Sequence, residues 1–232
     1  GLRQHILRIT LIFHGALMNS EKLLEDIAEE VRACTKCDLY HSRKNAVPGE
    51  GPDNAEIMFV GEGPGFYENE QGRPFVGAAG QFLDELLGHI HLKRADVFIT
   101  NVVKCRPPGN RDPEPVEIET CTVNYLARQI EAINPKMIVT LGRHSMGLFL
   151  PGSKISSVHG KPFRRDGRVI VPMFHPAAAL HQPSLRDAVI ADFTKLPGFI
   201  QQMQAAEKPA KSAEKEKKDD DPNSGPTQLS LF

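Results

Sequence analysis

No stretch of this 232-residue chain approaches the roughly 18 consecutive apolar residues that a membrane-crossing helix needs, so nothing in it reads as a span. It lacks a basic excess: 28 Lys and Arg stand against 29 Asp and Glu, which counts against extended, non-specific binding of nucleic acid. Phosphate-cradling signatures are missing too, with neither GxxxxGK[ST] nor GxGxxG spacing present. No good secretory signal opens the chain, because Arg3, Arg8 and His14 interrupt its first apolar residues, and Met18 reads as a plausible start. A cytoplasmic protein is the expectation. Cysteine is scarce, with Cys34, Cys37, Cys105 and Cys121 the full set. In a reducing compartment structural disulfides are rare, and clustered cysteines more often hold a metal. No internal repeat is present.

What the chain does have is a 40% hydrophobic content, enough for a proper core, and one unusual stretch. Residues 61–80, GEGPGFYENEQGRPFVGAAG, combine glycines and prolines with carboxylates and two phenylalanines. Glycine permits positive φ and close approach of another molecule, while proline fixes φ. An apolar run at 57–60 precedes the stretch and an amphipathic segment at 81–90 follows it, so it reads as a loop between strand and helix. Open α/β sheets hold ligands in such loops, at the carboxyl ends of their strands. Glu62, Glu68 and Glu70 would repel phosphate, so the loop suits a neutral or cationic group, or a reaction that develops positive charge.

Further strands are expected at 97–99, ending at Asn101, at 136–141 and at 169–173, ending at Phe174-His175-Pro176. Helices are expected at 21–32 with Ser20 as cap, at 117–133, at 142–150 and at 184–202. Alternating strands and helices predict an α/β protein, a three-layer α/β/α sandwich around a central parallel, mainly four-stranded sheet. Residues 1–19 read as an extension, 20–203 as the folded domain, and 204–227 as a charged linker too polar to bury a core. Residues 228–232, QLSLF, turn apolar again.

Cys34-x2-Cys37 brings two thiolates onto one metal with little chain entropy to lose, and Cys105 and Cys121 complete a set of four. That count suits a [4Fe–4S] cluster or an all-thiolate zinc site, and the loose second pair leans toward iron–sulfur. In a doubly wound sheet the strand ends share one crevice, so Glu62, Asn101 and His175 are expected to meet there.

These residues are recognisable together. GEGPG (61–65), GRPFVGAAG (72–80), ITNVVKCRPP (99–108), LGRHS (141–145), HGK (159–161) and HPAAAL (175–180), with all four cysteines, resemble the family 4 uracil-DNA glycosylases, the iron–sulfur class. The resemblance covers residues 23–202. Family 5 enzymes typically carry Asp where Glu62 stands, and the covalently trapping relatives carry a basic insertion that 102–107 lacks.

The resemblance implies an enzyme that flips uracil from DNA and hydrolyses its N-glycosidic bond. Asn101 matches the residue that reads the uracil edge and Phe75 the ring that stacks on it. Glu68 lies near where the family excludes the thymine methyl, and it would also hold water. His175 matches the group that stabilises charge on O2, and Glu62 would stabilise a cationic sugar and orient water. Gly63 occupies the place where better-known uracil glycosylases put an Asp. The resemblance further implies that Cys34, Cys37, Cys105 and Cys121 hold a [4Fe–4S] cluster of structural purpose. The loop after His175 would enter the minor groove, with Leu180 as wedge. Lys161, Arg186 and backbone N–H groups at 77–80 and 143–145 would meet phosphates. QLSLF looks like the bacterial sliding-clamp-binding peptide, with Leu229, Leu231 and Phe232 entering a groove and Gln228 fixing register. Two other readings remain: a cluster-containing DNA-binding module without catalysis, and a nucleotide hydrolase stabilised by zinc.

Overall fold

The four apolar runs expected as strands do form strands, and they lie side by side. In the computed structural model, which describes residues 19–202, these are β1 (Ile57–Gly61), β2 (Phe98–Asn101), β3 (Met137–Leu141) and β5 (Arg168–Met173). A fifth strand joins them, β4 (Phe163–Arg165), giving the order β2-β1-β3-β5-β4. All pairings are parallel except β4 with β5. β4 was not expected because it is short, exposed and two-thirds arginine. Its hairpin did leave a trace, since Asp166 (φ 47°) and Gly167 (φ 77°) both take the left-handed conformation that a two-residue Asp-Gly turn requires. The expected extension before residue 19, the charged linker and the QLSLF peptide lie outside the described residues. The chain divides after Leu196, and of the second unit only helical residues 197–202 are described.

The sheet is buried on both faces, as parallel sheets are. Successive side chains alternate between them. Met58, Val60, Ile138 and Ile170 pack with Ile27 and Val31 of α1 (Ser20–Ala33) in one core. On the opposite side the Phe59 ring stacks on Phe193 at 5.9 Å and 11°. Phe193 closes α10 (Arg186–Phe193), and α4 (Ala78–His89) contacts both α10 and the short α9 (Pro176–His181).

The remaining helices are α2 (Leu39–Ser42), α3 (Phe66–Gln71), α5 (Pro115–Cys121), α6 (Ala127–Ile133), α7 (Arg143–Phe149) and α8 (Ile155–Val158). Three expectations need correction. α1 is capped by Asn19, whose Oδ1 accepts the Glu21 N–H, while the Ser20 hydroxyl instead donates to Asp53. The helix expected at 117–133 winds as a π-helix over Thr122–Leu126, directly after Cys121, which re-aims the turn that follows. The last expected helix is interrupted after Phe193.

Because β2 lies on one side of β1 and β3 on the other, the connections leaving β1 and β3 diverge. The crevice opened by that reversal is where open α/β sheets bind ligands.

Candidate active site

Glu62, Phe75, Asn101 and His175 line one cleft of about 460 Å³, together with Glu68 and Gly63. Each arrives from a different strand end or loop. Asn101 is the last residue of β2 and is paired with Gly61, so the acid that follows β1 and the amide that ends β2 lie side by side. Backbone bonds continue past the strands, Val102 N–H to Gly61 O and Val103 N–H to Glu62 O, which holds that register into the cleft.

Asn101 is 1% exposed, and its side-chain oxygen Oδ1 is buried without a hydrogen-bond donor among the described residues. A buried carbonyl oxygen left this way costs about 1–3 kcal/mol, so a ligand N–H at this point would be strongly favoured. Phe75 lies beside it with φ 51°, a left-handed conformation that is uncommon outside glycine and asparagine. Its ring is nearly parallel to the His175 imidazole, 5.7 Å away at 22°. Gly61 makes this possible: a Cβ there would collide with Asn101 Oδ1 and stand 2.6 Å from Phe75 Cζ. Gly80 is equally constrained, since a Cβ would run into the Phe75 carbonyl.

His175 caps α9, and its Nδ1 accepts the Ala177 N–H at 3.1 Å. Since a backbone N–H can only donate, Nδ1 is unprotonated and the neutral ring carries its hydrogen on Nε2. Burial lowers the His175 pKa below the ordinary histidine value, with Glu62 and Glu68 pulling more weakly upward. The ring is therefore a neutral hydrogen-bond donor at neutral pH.

The carboxylates divide their work. Glu62 Oε1 accepts the His144 N–H at 2.9 Å, at the start of α7. Glu68 accepts the N–H groups of Gly65 (3.1 Å), Val76 (2.8 Å) and Gly77 (2.9 Å). Its Oε1 thereby ties down the loop that carries Phe75 while its Oε2 closes the turn at Gly65, a geometry for positioning more than for proton transfer. These bonds correct one expectation, because the N–H groups of Gly77 and His144 already have carboxylate acceptors and are not available to phosphate.

The three side chains expected to contact DNA are not among the residues that line this cleft. Leu180 is 41% exposed on α9, next to the cleft-lining His181. Lys161 donates to Ser157 O at 2.8 Å. Arg186 is held by both oxygens of Glu85 (2.6 and 2.7 Å) and lies 4.3 Å from the Phe82 ring centre, so it would have to leave that pairing to meet a phosphate.

Sequence reading missed Lys104. It is 1% exposed, and its Nζ donates to Thr100 Oγ1 (2.6 Å), Gln129 Oε1 (2.7 Å) and the Asn101 carbonyl (2.8 Å). Gln129 Nε2 in turn donates to Pro48 O at 2.8 Å. Burial pushes the lysine pKa down to about 7. The only sequence signal was a lysine inside an otherwise apolar run, VVKC.

The four cysteines form no disulfide with one another, and Cys121 lies within electrostatic reach of Lys104. Cys105 lies within electrostatic reach of Cys34 and Cys37, and Cys121 within reach of Cys37 and Cys105, so they occupy one corner. Burial raises the thiols of Cys37 and Cys105 and pushes Cys121 up to about 12. Arg43 donates to Cys105 Sγ at 3.2 Å and the Lys36 N–H to Cys34 Sγ at 3.5 Å, while Tyr125 lies within electrostatic reach of Cys34. Among the described residues no three His, Cys, Asp or Glu side chains stand close enough to hold a single metal ion.

Residues 48–195 match the family model of the uracil DNA glycosylase superfamily. A type-4 uracil-DNA glycosylase of Sulfurisphaera tokodaii is 52% identical over 183 residues, 75% of this chain and 83% of the relative. The chain belongs to this family. Type-4 uracil-DNA glycosylases of Archaeoglobus fulgidus and Thermotoga maritima are 50% and 46% identical, covering 91% and 96% of those proteins. The match spans β1 to α10, hence every strand end that supplies the type-4 cleft.

Proposed function

We propose that this protein excises uracil from DNA by hydrolysing the N-glycosidic bond, leaving an abasic site that starts base excision repair. The observation that carries the reading is the buried, unpartnered Oδ1 of Asn101 beside the Phe75 ring. Uracil presents N3–H and O4 on one edge, so an amide that accepts with Oδ1 and donates with Nδ2 pairs with both. Cytosine presents N3 without hydrogen and an amino group, which leaves the same amide facing like with like. Sites of this kind reject the mismatched analogue by about 10⁴–10⁵-fold. Phe75 stacks on the flipped base, a contact worth about 1–3 kcal/mol.

Bond cleavage leaves negative charge on uracil O2 and positive charge on the sugar, by analogy with glycoside hydrolysis. The neutral His175, protonated on Nε2, donates to O2 as that charge develops. Glu62, held in place by the His144 N–H, stabilises the cationic sugar and orients the attacking water. Glu68 fixes the Phe75 loop and limits the space at C5. Leu180 holds the vacated stack open, with Lys161 and a released Arg186 reaching phosphates.

The four cysteines hold a [4Fe–4S] cluster in this reading. A single tetrahedral zinc needs thiolates within roughly 4 Å of one another, whereas a four-iron cluster takes them at the corners of a wider cage. The hydrogen bonds reaching Cys34 and Cys105 are of the kind that supports cluster sulfur ligands. A bound cluster would deprotonate thiols that burial otherwise keeps neutral, and it would pin α1 to the loop after β2. QLSLF serves as a sliding-clamp-binding peptide, a reading that rests on the sequence alone.

Incubation with uracil-containing oligonucleotides, single-stranded and duplex, followed by alkaline cleavage of abasic sites, tests the activity. Strand scission at uracil is expected; intact strands would refute it. Iron analysis with a visible absorption shoulder tests the cluster.

A further inference from the structure

Beside the cleft, α3 exposes two adjacent aromatic rings. Phe66 is 52% and Tyr67 58% exposed, and the rings meet edge to face at 5.4 Å. Such exposure is unusual for large apolar side chains unless something covers them. The rings are fixed in place. They follow Gly65, which lines the cleft, and the Glu68 carboxylate of the same helix ties that turn to the Phe75 loop. Tyr67 rests against Gly77, where a Cβ would lie 3.3 Å from its Cδ2. The Arg106 guanidinium lies 5.3 Å from the Phe66 ring centre and is steadied by Asn110 Oδ1 at 2.8 Å. Asn110 also lines the cleft. One rim therefore carries two π-faces and a cation, continuous with the cavity that takes the base.

We infer that Phe66, Tyr67 and Arg106 form a second nucleotide subsite, which takes the base next to the extruded uracil on the same strand. That base stacks on the exposed aromatic rim and its phosphate meets Arg106. The chemistry favours this occupant. Every base has a π-face, so such a rim binds without sequence preference, and the nearby cation matches a backbone phosphate rather than an apolar peptide. The subsite rests on the excision reading for its geometry. It goes beyond that reading in predicting that a neighbouring base unstacks from the DNA onto protein, which single-stranded DNA permits most easily.

The test uses a single-stranded oligonucleotide with a tetrahydrofuran abasic analogue and 2-aminopurine placed on its 5′ or its 3′ side. The full-length protein is expected to quench 2-aminopurine on one side. Replacing both rings (Phe66→Ala with Tyr67→Ala) should abolish that quench and raise KM for single-stranded uracil substrate by roughly 5- to 150-fold, the range a base–aromatic stack carries. Val116→Ala, which trims another exposed apolar side chain, should change neither. Arg106→Gln should weaken binding and flatten its salt dependence while leaving the quench of bound DNA in place. Absence of quench on both sides, or a quench unaffected by the double substitution at an unchanged melting temperature, would overturn the subsite. The DNA in the quench assay carries no uracil, so failure to release uracil with a ring-dependent quench retained would sink the excision reading and leave the subsite standing.

Discussion

Asn101 and Lys104 lie close together at the end of β2, both 1% exposed, and their surroundings are opposite. Lys104 Nζ stands within hydrogen-bond distance of three oxygens. Asn101 Oδ1 has no donor among the described residues. Thr122 Oγ1, Thr140 Oγ1 and Arg168 Nε are also buried without a partner among the described residues, but of these four residues Asn101 is the one that lines the cleft. The gap at Asn101 therefore faces the cleft, where a ligand completes it. The plug behind β2 is finished from within, whereas the cleft in front of it is finished by the substrate.

That contrast can be broken from either side, most sharply at the amide. Asn101→Ala should lower kcat/KM for uracil excision by about 10³-fold or more, because the base then meets no matched edge. Its melting temperature should hold or rise, since an unsatisfied buried group is removed. A melting temperature that falls with little change in excision would make Asn101 part of the plug.

His175→Ala should cost about 10²–10³-fold in kcat, the usual loss for one oxyanion donor. The pH profile of the unaltered enzyme sharpens the point. Burial lowers the His175 pKa, so the neutral donor form persists below the ordinary histidine range. The His175-dependent decline should appear only as pH falls further, with no loss between pH 7 and the ordinary histidine value of about 6.5. A decline already complete at that value would contradict the neutral-donor role.

Lys104→Met addresses the plug. It leaves Thr100 Oγ1, Gln129 Oε1 and the Asn101 carbonyl without their shared donor, at a cost of about 1–3 kcal/mol for each group left unsatisfied. The melting temperature should fall clearly, while excision by the remaining folded protein should fall only about 10-fold, through misplacement of Asn101. Smallest of all is the expected effect of Cys121→Ser on excision per folded molecule, within a few-fold. The variant should instead lose visible absorption and iron and unfold at lower temperature. Equal loss of excision and absorption would give the cysteine corner a direct part in the reaction.

Much of the cleft was legible because strand ends converge in any doubly wound sheet, so an acid, an amide and an imidazole after three apolar runs had to meet. The Gly-rich loop was legible for a related reason, since residues that allow close approach announce that something approaches. Other features left little local trace, β4 no more than the Asp166-Gly167 turn of its hairpin. β4 is held by its hairpin rather than by its own propensity, and the π-helical turn after Cys121 buries Tyr125 and Leu126. Glu68 looked like one more acid of the loop, and only the fold brings the Val76 and Gly77 N–H groups to its oxygens. Lys104 stayed hidden because an isolated lysine in an apolar run is read as a surface residue, whereas its three acceptors come from β2 and α6.

The most direct measurement is competitive base release. An equimolar mixture of oligonucleotides, one with a single uracil and one with cytosine at the same position, is incubated with the wild-type enzyme and with Asn101→Leu, and free bases are counted by mass spectrometry. The wild-type enzyme should release uracil alone, and Asn101→Leu, melting at a matched temperature, should release almost none. Undiminished uracil release by Asn101→Leu would show that the buried amide does not read the base.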